Sequence, residues 1–304
     1  MSEVKADFGV SENLRGDGVL GAGSGAPRNP ALEGATLLFQ MAPGLNMPYE
    51  YGGVKEEIEG YRVSAWIGTS LMISPIYDVV GPDVCAFFES ICVNSFSKLD
   101  EQGLRHAVIC NDKGQVMTDG VVIRIADDRY RTYWLNPPLR YLVEQSDMDV
   151  QGQDMTGTEF FIQIDGEKSL QILENAFKQD LHDIRFTKRR VIDVEGHAVN
   201  VMRLGMSGNL AYEIHGPIAD YELIYDKVWA SGEKLGARKL GMHAYNEFNH
   251  TEAGFPNIHQ HYPLPWFESG EGLAQWCYAN PQLSMYNINR HLVGSMGDDI
   301  QGRF

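Results

Sequence analysis

Basic residues are scarce in this chain. Its 304 residues hold 25 Lys and Arg against 41 Asp and Glu, a formal net charge of -16. Phosphate binding needs a basic surface, so nucleic acid is excluded as an expected partner. Cysteine is scarce too. Cys85, Cys92, Cys110 and Cys277 form no CxxC pair, and three of them sit in apolar runs. Reduced, buried thiols are therefore expected, with no disulfide framework. Long apolar runs are missing: none approaches the ~20 residues of a membrane span. The N-terminus lacks the charged-then-apolar layout of a signal peptide. These absences exclude a membrane partner and point to a cytoplasmic protein. Heptads and internal repeats are absent as well.

What is present is a core-forming composition, 43% hydrophobic, over a length that allows two domains. Residues 1–34 are rich in Gly, Ser, Asn and Pro and read as an extended arm. Gly18, Gly21, Gly23 and Gly25 resemble a nucleotide loop only superficially, because no apolar strand precedes them and Pro27 and Pro30 follow. Residues 35–150 read as a first α+β domain. Alternation predicts strands over 61–67 and 76–80, the second entered through Pro75. Gly81-Pro82-Asp83 opens a helix carrying Val84, Phe87, Phe88 and Ile91 on one face. Strands over 106–110, 116–125 and 130–135 then make a β-meander, turned at Asn111-Asp112-Lys113-Gly114 and at 126–128. Residues 151–304 read as a second α+β domain with an aromatic, irregular C-terminal segment. Its expected elements are strands over 160–164 and 191–194, helices over 167–177 and 219–235, and a helix from Gly241 to Glu252. Glycine and proline close that last helix at Ala253-Gly254-Phe255-Pro256.

The stretch that organises the second half runs from Arg203 to Ile214: a strand, a glycine turn at Gly205 and Gly208, and a second strand. Glycine permits backbone angles that a side chain forbids. Alternation puts Ala211 and Glu213 on one face and Tyr212 and Ile214 on the other. A carboxylate fixed there suits a heterocycle with adjacent N–H donors, since it accepts two hydrogen bonds at once. An ordinary hairpin with a solvated Glu fits the same residues. Thr118 and Asp119 form a polar pair inside an apolar strand, either functional or at a sheet edge. His259-Gln260-His261 lacks a third ligand at clear spacing, so no metal is expected.

Taken together, these blocks resemble the glycine-cleavage T-protein family of aminomethyltransferases. The resemblance rests on Gly81-Pro82-Asp83, on Gly114 through Thr118-Asp119 and Arg124 to Trp134-Leu135-Asn136, on Gly205-Met206-Ser207-Gly208 with Tyr212-Glu213-Ile214, and on Glu252-Ala253-Gly254. Gly241-Met242-His243-Ala244-Tyr245-Asn246-Glu247 and Gly294 to Ile300 look closest to the tetrahydrofolate-dependent aromatic O-demethylases. Leu71-Met72-Ile73-Ser74 lacks the histidine common there in the family. The resemblance implies an α+β fold with mixed and antiparallel sheets and flanking helices, the family's C-terminal β domain being absent from this sequence.

It also implies a methyltransferase with tetrahydrofolate as cofactor, demethylating a methoxylated aromatic acid. Tyr245 stands where that branch carries its proposed catalytic tyrosine; on its own spacing it reads as a core residue of an amphipathic helix. Asp119 falls where the aminomethyltransferases keep a functional aspartate. Glu213, Tyr212, Gly205, Gly208 and Asn136 are the cofactor-binding set. Arg124 is either a fork for a substrate carboxylate or a surface arginine. An aminomethyl or other one-carbon transferase, and a folate-binding module without catalysis, are the alternatives.

Overall fold

A computed structural model describes residues 30–42, 45–68, 75–136, 138–256 and 270–279. Thirteen strands occur among them: β1 Leu37–Ala42, β2 Leu45–Glu50, β3 Trp66–Gly68, β4 Ile76–Val80, β5 Leu104–Cys110, β6 Val116–Ala126, β7 Arg129–Tyr133, β8 Gln151–Asp154, β9 Glu159–Asp165, β10 Arg189–Val194, β11 His197–Met202, β12 Ala211–Pro217 and β13 Arg238–Lys239. The helices are α1 Val54–Val63, α2 Val84–Ile91, α3 Pro138–Glu144, α4 Ser169–Phe177, α5 Tyr221–Lys234, α6 Met242–Ala244 and α7 Glu271–Ala279. No described helix is long and apolar enough to cross a membrane.

Two larger sheets carry the fold. One has the order β10-β11-β12-β9-β3-β13 and the other β5-β6-β7-β4-β8, while β1 and β2 make a separate hairpin. The meander expected from sequence is β5-β6-β7. The sheets do not divide the chain at residue 150: β3 from the first half completes the six-stranded sheet, and β8 from the second half pairs with β4. In the six-stranded sheet the inner strands are apolar on one face. Ile162 and Ile164 of β9 and Tyr212 and Ile214 of β12 join Ile172, Leu173, Ile224 and Val228 of α4 and α5 in one core. Burying such side chains contributes ~1.5–3 kcal/mol each. A second core packs α2 and α3 on the five-stranded sheet through Phe87, Phe88, Tyr130 and Leu139.

Some expectations are corrected. The strand predicted over 61–67 begins as the last turn of α1, and only Trp66 and Ile67 fall in β3. Glu56 and Glu57 sit in the first turn of α1, where carboxylates favour a helix, and the helix runs into the start of the alternating stretch. The helix expected from Gly241 to Glu252 is the short α6 followed by one π-helical turn over Tyr245–Asn249. Residues 1–29 lie outside the described residues, but the end of the predicted arm is packed: Ala31 is 1% exposed and its carbonyl accepts from Tyr51 Oη at 2.5 Å. The aromatic C-terminal segment holds a regular helix, α7, whose Trp276 donates to Glu144 at 2.5 Å. Cys85, Cys92 and Cys110 are free thiols but only half-buried.

Candidate functional site

Strand β9 reads Glu-Phe-Phe-Ile-Gln-Ile-Asp. The period of two sends Phe160, Ile162 and Ile164 to the core and Glu159, Phe161, Gln163 and Asp165 to the opposite face. Strand β12 matches it in register, with Ala211 opposite Asp165, Glu213 opposite Gln163 and His215 opposite Phe161. A polar strip thus runs along two strands buried on both faces. Gln163, Asp165, Glu213 and His215 are all 9% exposed or less.

Tyr245 covers this strip from the π-helical turn after α6. It is 7% exposed and meets Trp66 edge-on at 6.1 Å between ring centroids. Helix α1 holds that element in place, because the buried carboxylate of Glu57 accepts from the Gly241 N–H at 2.7 Å. Burial lifts the Tyr245 phenol above the usual tyrosine range, and the charges of Glu213 and Asp165 push the same way. Hydrogen bonding to Gln163 and Asn249 acts in the opposite sense. Tyr245 is therefore a protonated donor at neutral pH.

Glu213 Oε1 accepts from Gln163 Nε2 at 3.1 Å. Asp165 Oδ2 accepts from the Ser207 hydroxyl, and burial raises the Asp165 carboxyl to about 7 against that hydrogen bond. Three further acceptors, Gln163 Oε1, Asp165 Oδ1 and Asn249 Oδ1, are buried without a hydrogen-bond partner among the described residues. Buried acceptors are costly unless paired. This face can accept several N–H or O–H donors. A small cleft adjoins it, lined by Ile58, Trp66, Ser207, Leu240, Ala244, Phe248 and Asn249.

The glycine turn contributes by close approach. A Cβ on Gly205 would stand 2.2 Å from Ala211 Cβ. Gly205 is not in the left-handed region, so packing requires it rather than backbone angle. Gly208 has φ +82°, and a Cβ there would reach Ala253 at 3.4 Å. Ser207, between them, carries the hydroxyl that holds Asp165.

The other expected site residues divide. Asp119 Oδ2 lies 2.9 Å from His106 Nε2 and accepts from it in the tautomer that carries the proton there. The His106 ring is 5.7 Å from Phe255, Phe255 is 6.5 Å from His250, and His250 is 5.4 Å from Tyr245. A row of rings thus leads from His106 to Tyr245, and the neighbour of Asp119, Thr118, is 0% exposed and donates to Trp134 O. Asn136 is buried, and its Oδ1 has no hydrogen-bond partner among the described residues. Two expectations are corrected. Tyr212 is 1% exposed within the apolar core, on the face opposite Glu213. Arg124 spends its guanidinium on Asp127 and on Leu99 O at 3.0 Å, and five residues of strand separate it from Asp119, about 17 Å.

Sequence reading missed Glu159, Gln163, Asp165 and His215. Their signal was polar residues sharing one parity in strands otherwise apolar: Glu159, Gln163 and Asp165 on β9, and His215 beside Glu213 on β12. Among the described residues, the one group with metal-ligand spacing is Glu174, Asp180 and His182; Glu174 caps the Leu181 N–H and Asp180 the His182 N–H, which accounts for the cluster. His243 pairs with Glu50 at 2.5 Å. His259 and His261, and the Gly294 to Ile300 stretch, lie outside the described residues.

The family model for the GCVT N-terminal domain matches residues 32–262. The chain belongs to that family. Among curated relatives, it is 48% identical over 260 residues to a sesamin methylene transferase of Sinomonas sp. (strain No.22), covering 85% of this chain and 57% of the relative. It is 26% identical over 248 residues to a syringate O-demethylase of Sphingobium sp. (strain NBRC 103272 / SYK-6), covering 75% and 53%. The chain spans little more than half the length of these relatives. In fold it matches the crystal structure of glycine cleavage system aminomethyltransferase T from Bartonella henselae, with TM-score 0.64 and 16% identity, over 83% of this chain and 71% of that one. The α+β, T-protein-like fold implied by the sequence motifs is the fold observed.

Proposed function

We propose that this GCVT-family chain carries the folate site of a tetrahydrofolate-dependent one-carbon transferase whose donor is an aromatic ether. The observation that carries the reading is the acceptor-rich face of β9 and β12 beneath a buried, protonated tyrosine. A tetrahydropterin presents its amino group and ring N–H donors along one edge. Glu213, Gln163 Oε1 and Asn249 Oδ1 supply acceptors for such an edge, so the residues fit the group. Tetrahydrofolate supplies the amine that accepts the one-carbon unit.

The chain's own residues do the rest. Glu213, held by Gln163, fixes the ring by charge-assisted hydrogen bonds. Positioning of this kind can account for a large part of a transfer barrier, up to ~7–11 kcal/mol. The departing phenolate oxygen needs a proton or a strong hydrogen bond as its C–O bond breaks, and the Tyr245 hydroxyl donates it. Ile58, Trp66, Leu240 and Phe248, apolar side chains beside the strip, are the contacts proposed for the aromatic ring of the donor. Asp119 with His106 is assigned to the same catalytic side, with Asn136 and the Gly205–Gly208 turn supporting the pterin. The cytoplasm is the compartment proposed with it.

Two donors are compatible with this chemistry. The sequence motifs imply the methyl group of a methoxylated aromatic acid. Similarity to a methylene transferase at 48%, against 26% to an O-demethylase, supports a methylene held between two ether oxygens. Incubation with tetrahydrofolate and a panel of methoxybenzoates and methylenedioxybenzenes, followed by mass spectrometry of the folate, tests the reading. 5,10-Methylenetetrahydrofolate is the expected product. 5-Methyltetrahydrofolate would restore the methyl donor, and neither product with folate bound would leave only the binding module.

A further inference from the structure

His215 lies two residues beyond Glu213 on the same face of β12 and is 1% exposed. One ring nitrogen, Nε2, stands 3.6 Å from Glu213 Oε2, and the other, Nδ1, stands 3.6 Å from Glu159 Oε2; these are ion-pair spacings longer than a hydrogen bond, and neither nitrogen has another hydrogen-bond partner among the described residues. The ring is wedged edge-on between Tyr133 and Phe161, at 4.7 and 4.3 Å between centroids. A neutral imidazole has one N–H donor and one lone pair. In that state one of the two carboxylates would face a lone pair inside the protein. Only the doubly protonated ring presents an N–H to both.

The surroundings lead to the same state. Glu159 also receives Arg131 and the Tyr133 hydroxyl, the latter at 3.1 Å. Arg131 continues to the fully buried Asp78 at 2.7 Å, which Arg129 shares. Along this row of contacts three carboxylates, Asp78, Glu159 and Glu213, meet two guanidinium groups. An imidazolium makes the third cation, and buried charges persist only when paired. Facing His215 from the packed elements are Glu159 of β9, Glu213 of β12 and Tyr133 of β7. Arg131 of β7 reaches it through Glu159, Arg189 of β10 acts from farther off on Tyr133 and Glu159, and uncharged Asn200 of β11 stands opposite.

We infer that His215 is the positioning residue of the candidate folate site: as an imidazolium held between Glu159 and Glu213, it fixes the Glu213 carboxylate through Oε2 and leaves Oε1 to Gln163 and the ligand. Burial opposes the charge, but the two carboxylates outweigh it and raise the His215 pKa above its usual value. The clamp ties the site to the five-stranded sheet, since Arg131 and Tyr133 belong to β7. The ligand side of this inference rests on the folate reading; the ion triad does not.

The test pairs ¹⁵N NMR of the histidine ring with tetrahydrofolate titration of the whole chain, for wild type, His215→Gln and Glu159→Gln. Wild type is expected to show both His215 nitrogens protonated at pH 7. His215→Gln should bind tetrahydrofolate roughly 10- to 100-fold more weakly, the effect of losing one charge-assisted contact, with no pH dependence of affinity above neutrality. Glu159→Gln, made from the other strand, should let His215 lose its proton at lower pH. Its affinity should then match wild type at pH 6 and fall below it at pH 8, a rescue that a merely structural defect would not give. A neutral His215 ring in wild type at pH 7, or unchanged affinity in His215→Gln, overturns the inference. An imidazolium in a wild type that binds no tetrahydrofolate would sink the folate reading while the ion triad stands.

Discussion

Gln163 and Glu213 stand directly opposite each other in the register of β9 and β12, and the Gln163 amide donates to Glu213 across 3.1 Å. The amide thus steadies one carboxylate oxygen and leaves its own carbonyl buried without a hydrogen-bond partner among the described residues. Replacing Gln163 with Met keeps the length and removes both functions. Tetrahydrofolate affinity is expected to fall about tenfold, the value of roughly one hydrogen bond. A calorimetric titration that gives wild-type affinity would remove Gln163 from the site.

Tyr245→Phe separates binding from turnover. The ring contact with Trp66 at 6.1 Å survives the change, so the thermal midpoint should move little. Turnover of an aromatic ether should fall by ~10²–10⁴, the span of a general acid, with folate affinity nearly intact. Full activity in single-turnover assays would assign the proton to another group.

Asp165 predicts a pH dependence of stability. Its folded value is about 7 against an ordinary 3.8, so the folded state binds the proton more tightly than the unfolded one. The stabilisation it gives is complete below the unfolded value and is lost as pH rises through about 7. Asp165→Asn keeps the shape without the charge. Relative to wild type it should be more stable at pH 8 than at pH 5, by at most about 3 kcal/mol. Denaturant midpoints of the two proteins at both pH values test this, and a pH-independent difference would contradict it.

The glycine turn predicts an order of effects. Gly205→Ala brings a methyl to 2.2 Å from Ala211 Cβ, and overpacking of that kind costs ~1–3 kcal/mol. Gly208→Ala meets its neighbour at 3.4 Å but must hold φ +82°, which costs ~1–2 kcal/mol. Both thermal midpoints should drop. Gly205→Ala should also weaken tetrahydrofolate binding, because Ala211 lies opposite Asp165 in the strip.

Much of this architecture is legible in the sequence. The meander, the glycine turn and the Ala211/Glu213 face follow from period-two alternation and turn chemistry, which are local properties. Tyr245 was placed by motif rather than by spacing. What was hidden has a common cause. Glu159, Gln163, Asp165 and His215 sit on strands buried on both faces, and a doubly buried strand carries no exposed side to mark its polar residues as unusual. The α1 error arose where alternation at Val63 and Ala65 competed with the acidic start of a helix. Arg124 was misplaced because its partners, Asp127 and Leu99 O, are set by the meander's turns.

The most direct measurement is a tetrahydrofolate titration of wild type beside Glu213→Ala and Glu213→Gln, read by calorimetry under anaerobic conditions. The strip account predicts saturable binding by wild type and a loss of roughly 10- to 100-fold in both variants, larger in the alanine, where Gln163 is also left unpaired. Equal affinity in all three proteins would contradict the claim that the β9–β12 face holds the pterin.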